Sequence, residues 1–276
     1  MEIRYLADPV RFESMTTKEL RATFLVRNLF EAGKLTLLYC DADRAVIGGV
    51  VPGREPVELK GGKELASDFF MQRREMGVIN IGQAGAVIVD GKDYKLQRLD
   101  GLYIGRGAKQ ILFVSTDSKS PAEFYLQSYP AHKEYATKLV RQSAANKVEL
   151  GTAEAANVRT IYQYIRPGIA ESCQLVMGLT ILAPGSVWNT FPPHTHARRT
   201  EIYLYFDLDR GARVFHLIGA PDATRHLVIE NKEAVLSPSW SIHSGVGSSS
   251  YTFIWGMGGE NQDFDDMDFI PIENLK

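Results

Sequence analysis

From Phe191 to Glu201 the chain reads Phe-Pro-Pro-His-Thr-His-Ala-Arg-Arg-Thr-Glu. Side chains two apart on a strand lie on one face, so His194 and His196 are expected to point the same way. A short bend then brings in Glu201 at the start of the next strand. His243 lies in a second turn-like stretch, Pro238-Ser239-Trp240-Ser241-Ile242-His243. Three imidazoles and one carboxylate are a donor set for a divalent transition metal. His216 and His226 sit in strand-like runs without carboxylate or histidine neighbours at ligand spacing, and they read, like His132, as structural.

These ligands need a scaffold, and the rest of the chain describes one. Short β-prone runs recur about every ten residues with glycine or aspartate between them. Examples are Gly77–Gly82, Gly85–Gly91, Gly101–Gly105 and Gln110–Ser115, and later Arg159–Ile165, Cys173–Leu182, Glu201–Phe206, Ala212–Ile218 and Ser249–Trp255. This rhythm predicts an all-β sandwich or barrel, not alternating βα units. One amphipathic helix is expected after Thr16, whose spacing to Glu19 fits a capping box, with Gly33 as its stop. The stretch from Glu64 to Met76 reads equally as helix or strand. The polar, Ala- and Lys-rich region from Glu134 to Asn157 reads as a linker holding edge structure or short turns. The expected organisation is two β halves, residues 1–140 and 158–276, around a linker at 141–157. Only the second half carries His-x-His.

Composition excludes several functions. The 276 residues are 45% apolar and 23% charged, with a formal net charge of −2, which gives no electrostatic case for nucleic acid or an anionic membrane. Cys40 and Cys173 are far apart, no CxxC occurs, and both read as buried free thiols. There is no basic-then-apolar signal pattern and no apolar run near the ~20 residues of a membrane span. The expected location is the cytoplasm. Gly105-Arg106-Gly107 is a turn, and the acidic tail from Glu260 to Asp268 is expected to be a loop.

His194-x-His196-x4-Glu201 followed by Pro238-x4-His243 resembles the two metal motifs of the cupin superfamily, although Gly185 and Gly211 flank the first motif at longer spacings than that pattern. A closer resemblance runs through Arg73–Gly82, Cys173-Gln174-Leu175, Pro184–Thr190, His194-Thr195-His196, Ser241–Ser244 and Tyr251–Met257. Over most of its length the chain is similar to the 4-deoxy-L-threo-5-hexosulose-uronate ketol-isomerases (5-keto-4-deoxyuronate isomerases). That resemblance implies a bicupin fold, one Zn²⁺ per subunit on His194, His196, Glu201 and His243, and a homohexamer. It also implies conversion of 5-dehydro-4-deoxy-D-glucuronate to 3-deoxy-D-glycero-2,5-hexodiulosonate in pectin and uronate breakdown. The competing readings of the same shell are an iron oxygenase and a non-enzymatic sugar-binding bicupin.

An aldose–ketose isomerisation needs a proton carrier. Glu201 is the nearest carboxylate, but it is also a ligand. Tyr203 and Tyr205 share its strand parity, which makes Tyr203 a candidate carrier against the competing reading of core packing. A planar, permanently charged arginine suits a substrate carboxylate. Arg199 and Arg198 are the candidates beside the metal stretch, with Arg159 and Arg166 behind them. Gln174 and Thr180 share parity along one expected strand and are candidates to line the cavity, with Trp188 and Trp240 as candidate walls.

Overall fold

The computed structural model describes residues 1–260 and 266–276; most of the expected acidic tail, residues 261–265, lies outside the described residues. The chain is built from β-strands in two compact units. The first unit comprises Met1–Arg4, Asn28–Ala145 and Tyr164–Val176, and the second comprises Tyr5–Arg27, Asn146–Gln163 and Met177–Lys276. The division near residue 145 falls within the polar stretch of the sequence. The units are nonetheless interleaved along the chain, since residues 5–27 belong with the second and 164–176 with the first.

Each unit has one seven-stranded and one four-stranded sheet. In the first, the larger sheet runs Glu2–Arg4, Leu35–Cys40, Val46–Val50, Phe124–Pro130, Arg74–Asn80, Gly101–Ile104, Lys138–Val140. In the second it runs Asn146–Leu150, Arg159–Ile165, Val176–Leu182, Thr252–Gly259, Arg199–Phe206, Glu233–Ser237, Leu25–Val26. Taken strand by strand the two orders correspond, apart from the first strand. That strand pairs in parallel in the first unit and antiparallel in the second. The smaller sheets correspond as well: Val57–Glu58, Ile111–Ser115, Gly85–Val89, Lys92–Leu96 against Trp188–Asn189, Ile242–Gly247, Val214–Ala220, Ala223–Ile229. One architecture is therefore present twice.

Register makes the correspondence residue-specific. The Arg74–Asn80 strand ends its pairing at Arg74 with Pro130 and at Met76 with Ile104. Its counterpart ends at Arg199 with Gly259 and at Glu201 with Ser237. Met76 thus occupies the position of Glu201. By the same logic Ile111, opposite Val89, occupies the position of His243, opposite Ile218. Met76 and Ile111 are both buried in the apolar core of the first unit, with Val78, Phe70 and Met71. Two ligand positions there are apolar, so that barrel closes on itself where the other holds polar donors.

The expected helix is shorter than its sequence pattern. It spans Thr17–Phe24 behind the capping box of Thr16 and Glu19. It does not run to Gly33, because Leu25 is extended and Leu25–Val26 pair with the Glu233–Ser237 strand. A sheet edge offering paired backbone and burial for Leu25 and Val26 outweighs the helical continuation. A second helix, Pro9–Glu13, has Asp8 as its N-cap and proline in its first turn, the usual start signal. The ambiguous stretch from Glu64 resolves into short 3₁₀ turns, Lys63–Leu65 and Phe70–Gln72, before the Arg74–Asn80 strand. Gln174 precedes the Val176–Leu182 strand, so it does not share a strand with Thr180. Cys40 is a buried free thiol, whereas Cys173 is half-buried and accepts a hydrogen bond from the Lys133 N–H. No helix among the described residues is long and apolar enough to cross a membrane.

Candidate metal centre

In the second unit, the Arg199–Phe206 strand carries Glu201 and Tyr203 on one face, opposite Met257 and Trp255 of the neighbouring strand. His243 enters from the Ile242–Gly247 strand of the smaller sheet. His194 opens a two-residue strand that pairs with Asp268–Phe269, so a segment near the C-terminus holds the His-x-His stretch in place. His196 follows directly after it.

One ligand atom from each of His194, His196, Glu201 and His243 lies within 4.8 Å of the others, and all four residues are buried. Nε2 of His194 is 3.0 Å from Nε2 of His196 and 2.9 Å from Nε2 of His243. Oε2 of Glu201 is 2.9 Å from His196 Nε2 and 2.8 Å from His243 Nε2. Three imidazole nitrogens facing one another cannot all be satisfied by mutual hydrogen bonds, because each neutral ring offers one donor and one acceptor. A divalent cation at their centre satisfies every lone pair at once. The donor set, its burial and its convergence therefore fit a transition-metal ion.

Electrostatics favour the deprotonated forms of His194 and Glu201. Burial, helped by the neighbouring His243, pushes His194 down to about 2. Burial alone would raise the Glu201 carboxyl. The His243 charge and hydrogen bonds from His196 and His243 outweigh it and hold the carboxyl well below the usual range. Metal binding needs neutral imidazoles with an ionised carboxylate, and the shifts of His194 and Glu201 both run in that direction.

One supporting contact has no signal in the sequence motif. His196 Nδ1 is 3.3 Å from Asp266 Oδ1, and Asp266 also accepts a hydrogen bond from Arg199 Nη2. A carboxylate at Nδ1 fixes the tautomer that presents the Nε2 lone pair to a metal and stiffens the ring. Asp266 is 70 residues from His196. Its acidic surroundings read as a solvated loop, and only the fold brings it to the ring.

A cavity of about 220 Å³ opens onto the ligands. Its walls include Thr180, Thr190, Tyr203, Phe253, Trp255 and Met257, and Arg159 is the only arginine or lysine among the described lining residues. Trp255 lies against Gly178, where an added Cβ would stand 2.3 Å from the indole. That absence of a side chain lets the indole N–H reach Thr180 Oγ1 at 3.1 Å. Tyr203 is buried, and its hydroxyl is 3.0 Å from Thr190 Oγ1. Burial, then the Glu201 charge, pushes its phenol well above its ordinary value.

Of the other candidates, Thr180 lines this cavity and Gln174 does not. The Gln174 amide donates to the Pro130 carbonyl within the first unit. Arg199 is buried at the strand end, held by Asp266, and Arg198 is exposed; neither lines the cavity. Tyr205 hydrogen-bonds His216 Nδ1 at 2.7 Å and lies outside the lining. Trp188 packs on Phe191 and Trp240 on Phe12. Neither of these tryptophans walls the cavity, and Trp255 takes that place. His216 is fully buried between Tyr205 and Ser237, while His132 and His226 are exposed.

A pH effect follows from the buried imidazoles. Burial, with the His243 charge, pushes His216 down to about 3, and His194 is lowered as well. Both values lie below the ~6.5 of an unfolded histidine. The unfolded chain therefore binds more protons below that pH. The stabilisation is complete above about 6.5 and is lost as pH falls towards the folded values, by up to about 1.4 kcal/mol per pH unit per group. Chelator-treated chain is expected to unfold at lower denaturant concentration at pH 5.5 than at pH 7.5. Equal midpoints would contradict neutral burial.

The KduI/IolB family model matches residues 24–272. Proteins named 4-deoxy-L-threo-5-hexosulose-uronate ketol-isomerase from Lachnoclostridium phytofermentans and Halalkalibacterium halodurans are 52% and 51% identical over 276 residues, covering all of both chains. One of that name from Salmonella typhimurium is 49% identical over 278 residues, again covering all of both chains. Among solved structures, an IolB-like protein from Salmonella typhimurium aligns with a TM-score of 0.71 at 13% identity, over 92% of this chain and 98% of the other. A point mutant of Bacillus subtilis oxalate decarboxylase aligns with a TM-score of 0.55 at 11% identity, over 79% of this chain and 70% of the other. The structural likenesses bear on the fold alone, but the match in sequence runs from end to end, and the chain belongs to the KduI/IolB family.

Proposed function

We propose that this chain is a metal-dependent ketol-isomerase that converts 5-dehydro-4-deoxy-D-glucuronate to 3-deoxy-D-glycero-2,5-hexodiulosonate, with zinc as the ion. The observation that carries the reading is the full-length identity of about half to proteins named for this activity. The buried His194, His196, Glu201 and His243 supply the donors. A divalent ion held by these four residues would supply Lewis-acid polarisation of the substrate, without redox chemistry.

The chain's own groups do the remainder. The reaction removes the proton from the hydroxyl-bearing carbon, places one on the former aldehyde carbon, and moves the hydroxyl proton between the two oxygens. Atoms and electrons balance without a co-reactant. Glu201 stays ionised, and its Oε2 faces the ligand histidines. Tyr203 keeps its proton at neutral pH and faces the same cavity. It suits donation to an oxygen, or holding one in place through the Thr190 hydroxyl, better than proton abstraction. Arg159 is the cation available to the substrate carboxylate. The apolar walls lower the local dielectric around these charges.

The test is conversion of the keto-deoxyuronate by zinc-loaded protein, with oxygen consumption followed in parallel. Turnover without oxygen uptake is expected. Tyr203→Phe is expected to retain its fold and lose about 10²- to 10⁴-fold in kcat, the range for a single positioned proton donor. Absence of conversion by the loaded parent overturns the reading, and full activity of Tyr203→Phe removes the tyrosine from the mechanism.

A further inference from the structure

The first unit contains a cavity of its own, of about 270 Å³, among Tyr39, Arg44, Ser67, Arg73 and Arg74. Arg74 occupies the register position of Arg199, so the cavity opens at the barrel end that holds the metal ligands in the other unit. Beneath it the core is apolar, with Met76 and Ile111 at ligand positions. The cavity's lining is cationic instead.

Arg74 is 6% exposed. Its Nε donates to Ser128 Oγ at 3.0 Å, and its Nη2 donates to the carbonyls of Ser128 at 2.8 Å and Arg44 at 2.6 Å. All three acceptors are neutral, and among the described residues no carboxylate pairs with it. Burial lowers its pKa only to about 10, so it remains charged. Buried charge is ordinarily paired with opposite charge, and this one faces a cavity without such a partner.

Two further observations point the same way. Ser67 Oγ is buried and has no hydrogen-bond partner among the described residues, although Ser67 lines the cavity. Asp43 and Arg44 are consecutive non-glycine residues with positive φ, 48° and 52°. This strained turn presents the Arg44 carbonyl to Arg74 and places Arg44 at the cavity. Arg73 holds the turn at Leu65 and Ala66 through its Nη2. The carboxylate in the lining, Glu64, is 3.0 Å from the Met1 amino nitrogen. Three guanidinium groups therefore meet one carboxylate that already has a cationic partner.

We propose that this cavity binds a small oxyanion-bearing molecule, its carboxylate or phosphate group set against Arg44, Arg73 and Arg74 with Ser67 as a further donor. Guanidinium groups match both anions through paired N–H donors. The ligand would be a sugar acid or a free or esterified phosphate, and the site is independent of the metal centre.

The test is calorimetric titration of the full-length, zinc-loaded chain at low ionic strength with inorganic phosphate and, separately, with D-galacturonate. Arg159→Gln serves as background, because it removes the cation of the other cavity. At least one titrant is expected to saturate. Arg44→Gln, an exposed residue, is expected to weaken binding about 10-fold or more, the scale for a charge-assisted contact. Ser67→Ala is expected to weaken it several-fold. Binding persists in Arg159→Gln, and keto-deoxyuronate conversion by Arg44→Gln equals that of the parent. Saturation by phosphate alone identifies a phosphate site, and saturation by galacturonate alone identifies a sugar-acid site. No saturable heat with either titrant up to about 10 mM, the edge of specific affinity, overturns the proposal. So does binding that Arg44→Gln leaves unchanged.

Discussion

Replacing His194 by alanine is expected to lower turnover of the keto-deoxyuronate by at least about 10³-fold, the equivalent of about 4 kcal/mol of lost transition-state stabilisation. His194 is the imidazole that meets two others, with Nε2 at 3.0 Å from His196 and 2.9 Å from His243. Its removal leaves two nitrogens and one oxygen, and it opens the ligand cluster where the Asp268–Phe269 strand covers it. Bound metal per chain is expected to fall together with activity. His226→Ala removes an exposed imidazole from the same unit and is expected to change neither. The fold should survive His194→Ala, because the unit's buried apolar side chains, among them Ile202, Leu204, Val235 and Ile254, are untouched. A His194→Ala protein that has lost its metal and keeps parental turnover would sink the metal mechanism, and parental turnover with metal retained would remove His194 from it.

Metal chemistry is legible in sequence because it restricts residue types. His-x-His places two rings on one side of an extended segment, and Glu201 with the distal His243 completes a donor set that the fold brings together. The β rhythm was equally legible, since alternation and punctuation are local properties. The helix after Thr16 began where its capping box placed it. Its end did not follow the pattern, because the competing edge pairing at Leu25–Val26 involves residues more than 200 positions away.

The same limit explains where the fold puts the candidate arginines. Arg198 and Arg199 are neighbours of the ligands in the chain, yet one points to solvent and the other is buried against Asp266. Arg159, some 40 positions earlier, is the arginine that reaches the cavity, because its strand lies two strands from Thr252–Gly259 in the same sheet. Proximity in sequence predicts proximity in space only within one element. Arg159 is among the sequence candidates only behind Arg198 and Arg199, and Asp266 is not among them; both belong to other elements, so nearness to the His-x-His stretch carries no information about them. Two β-rich halves suggest a duplicated architecture, and the register matches the strands of the two units position by position. Met76 and Ile111 stand at the positions of Glu201 and His243. Each is an ordinary core residue in its own sequence neighbourhood, and its equivalence to a ligand position appears only when the strands are aligned.

Arg159→Gln is expected to lower kcat/KM for the keto-deoxyuronate by about 10²- to 10³-fold, mostly through KM. Among the described lining residues, Arg159 is the only arginine or lysine in a cavity that otherwise presents apolar walls, hydroxyls and the ligand cluster. Its Nη1 donates to the Asn157 carbonyl at 2.9 Å, which leaves other guanidinium N–H groups to meet a carboxylate while the side chain is held. Burial lowers its pKa, and a guanidinium keeps its charge in proteins. A carboxylate remote from the reacting carbons keeps its charge throughout the isomerisation. It is therefore bound about equally in ground and transition states, and losing its partner weakens binding more than chemistry. The range corresponds to about 3–4 kcal/mol, that of a charge-assisted pair broken in a partly buried site. Arg159→Lys keeps the charge but loses the fork of donors, and it should recover part of the KM and little more. Steady-state kinetics on the three proteins separates these outcomes. A parental KM in Arg159→Gln would remove this residue from substrate recognition, and a fall confined to kcat would place it with the reacting groups instead.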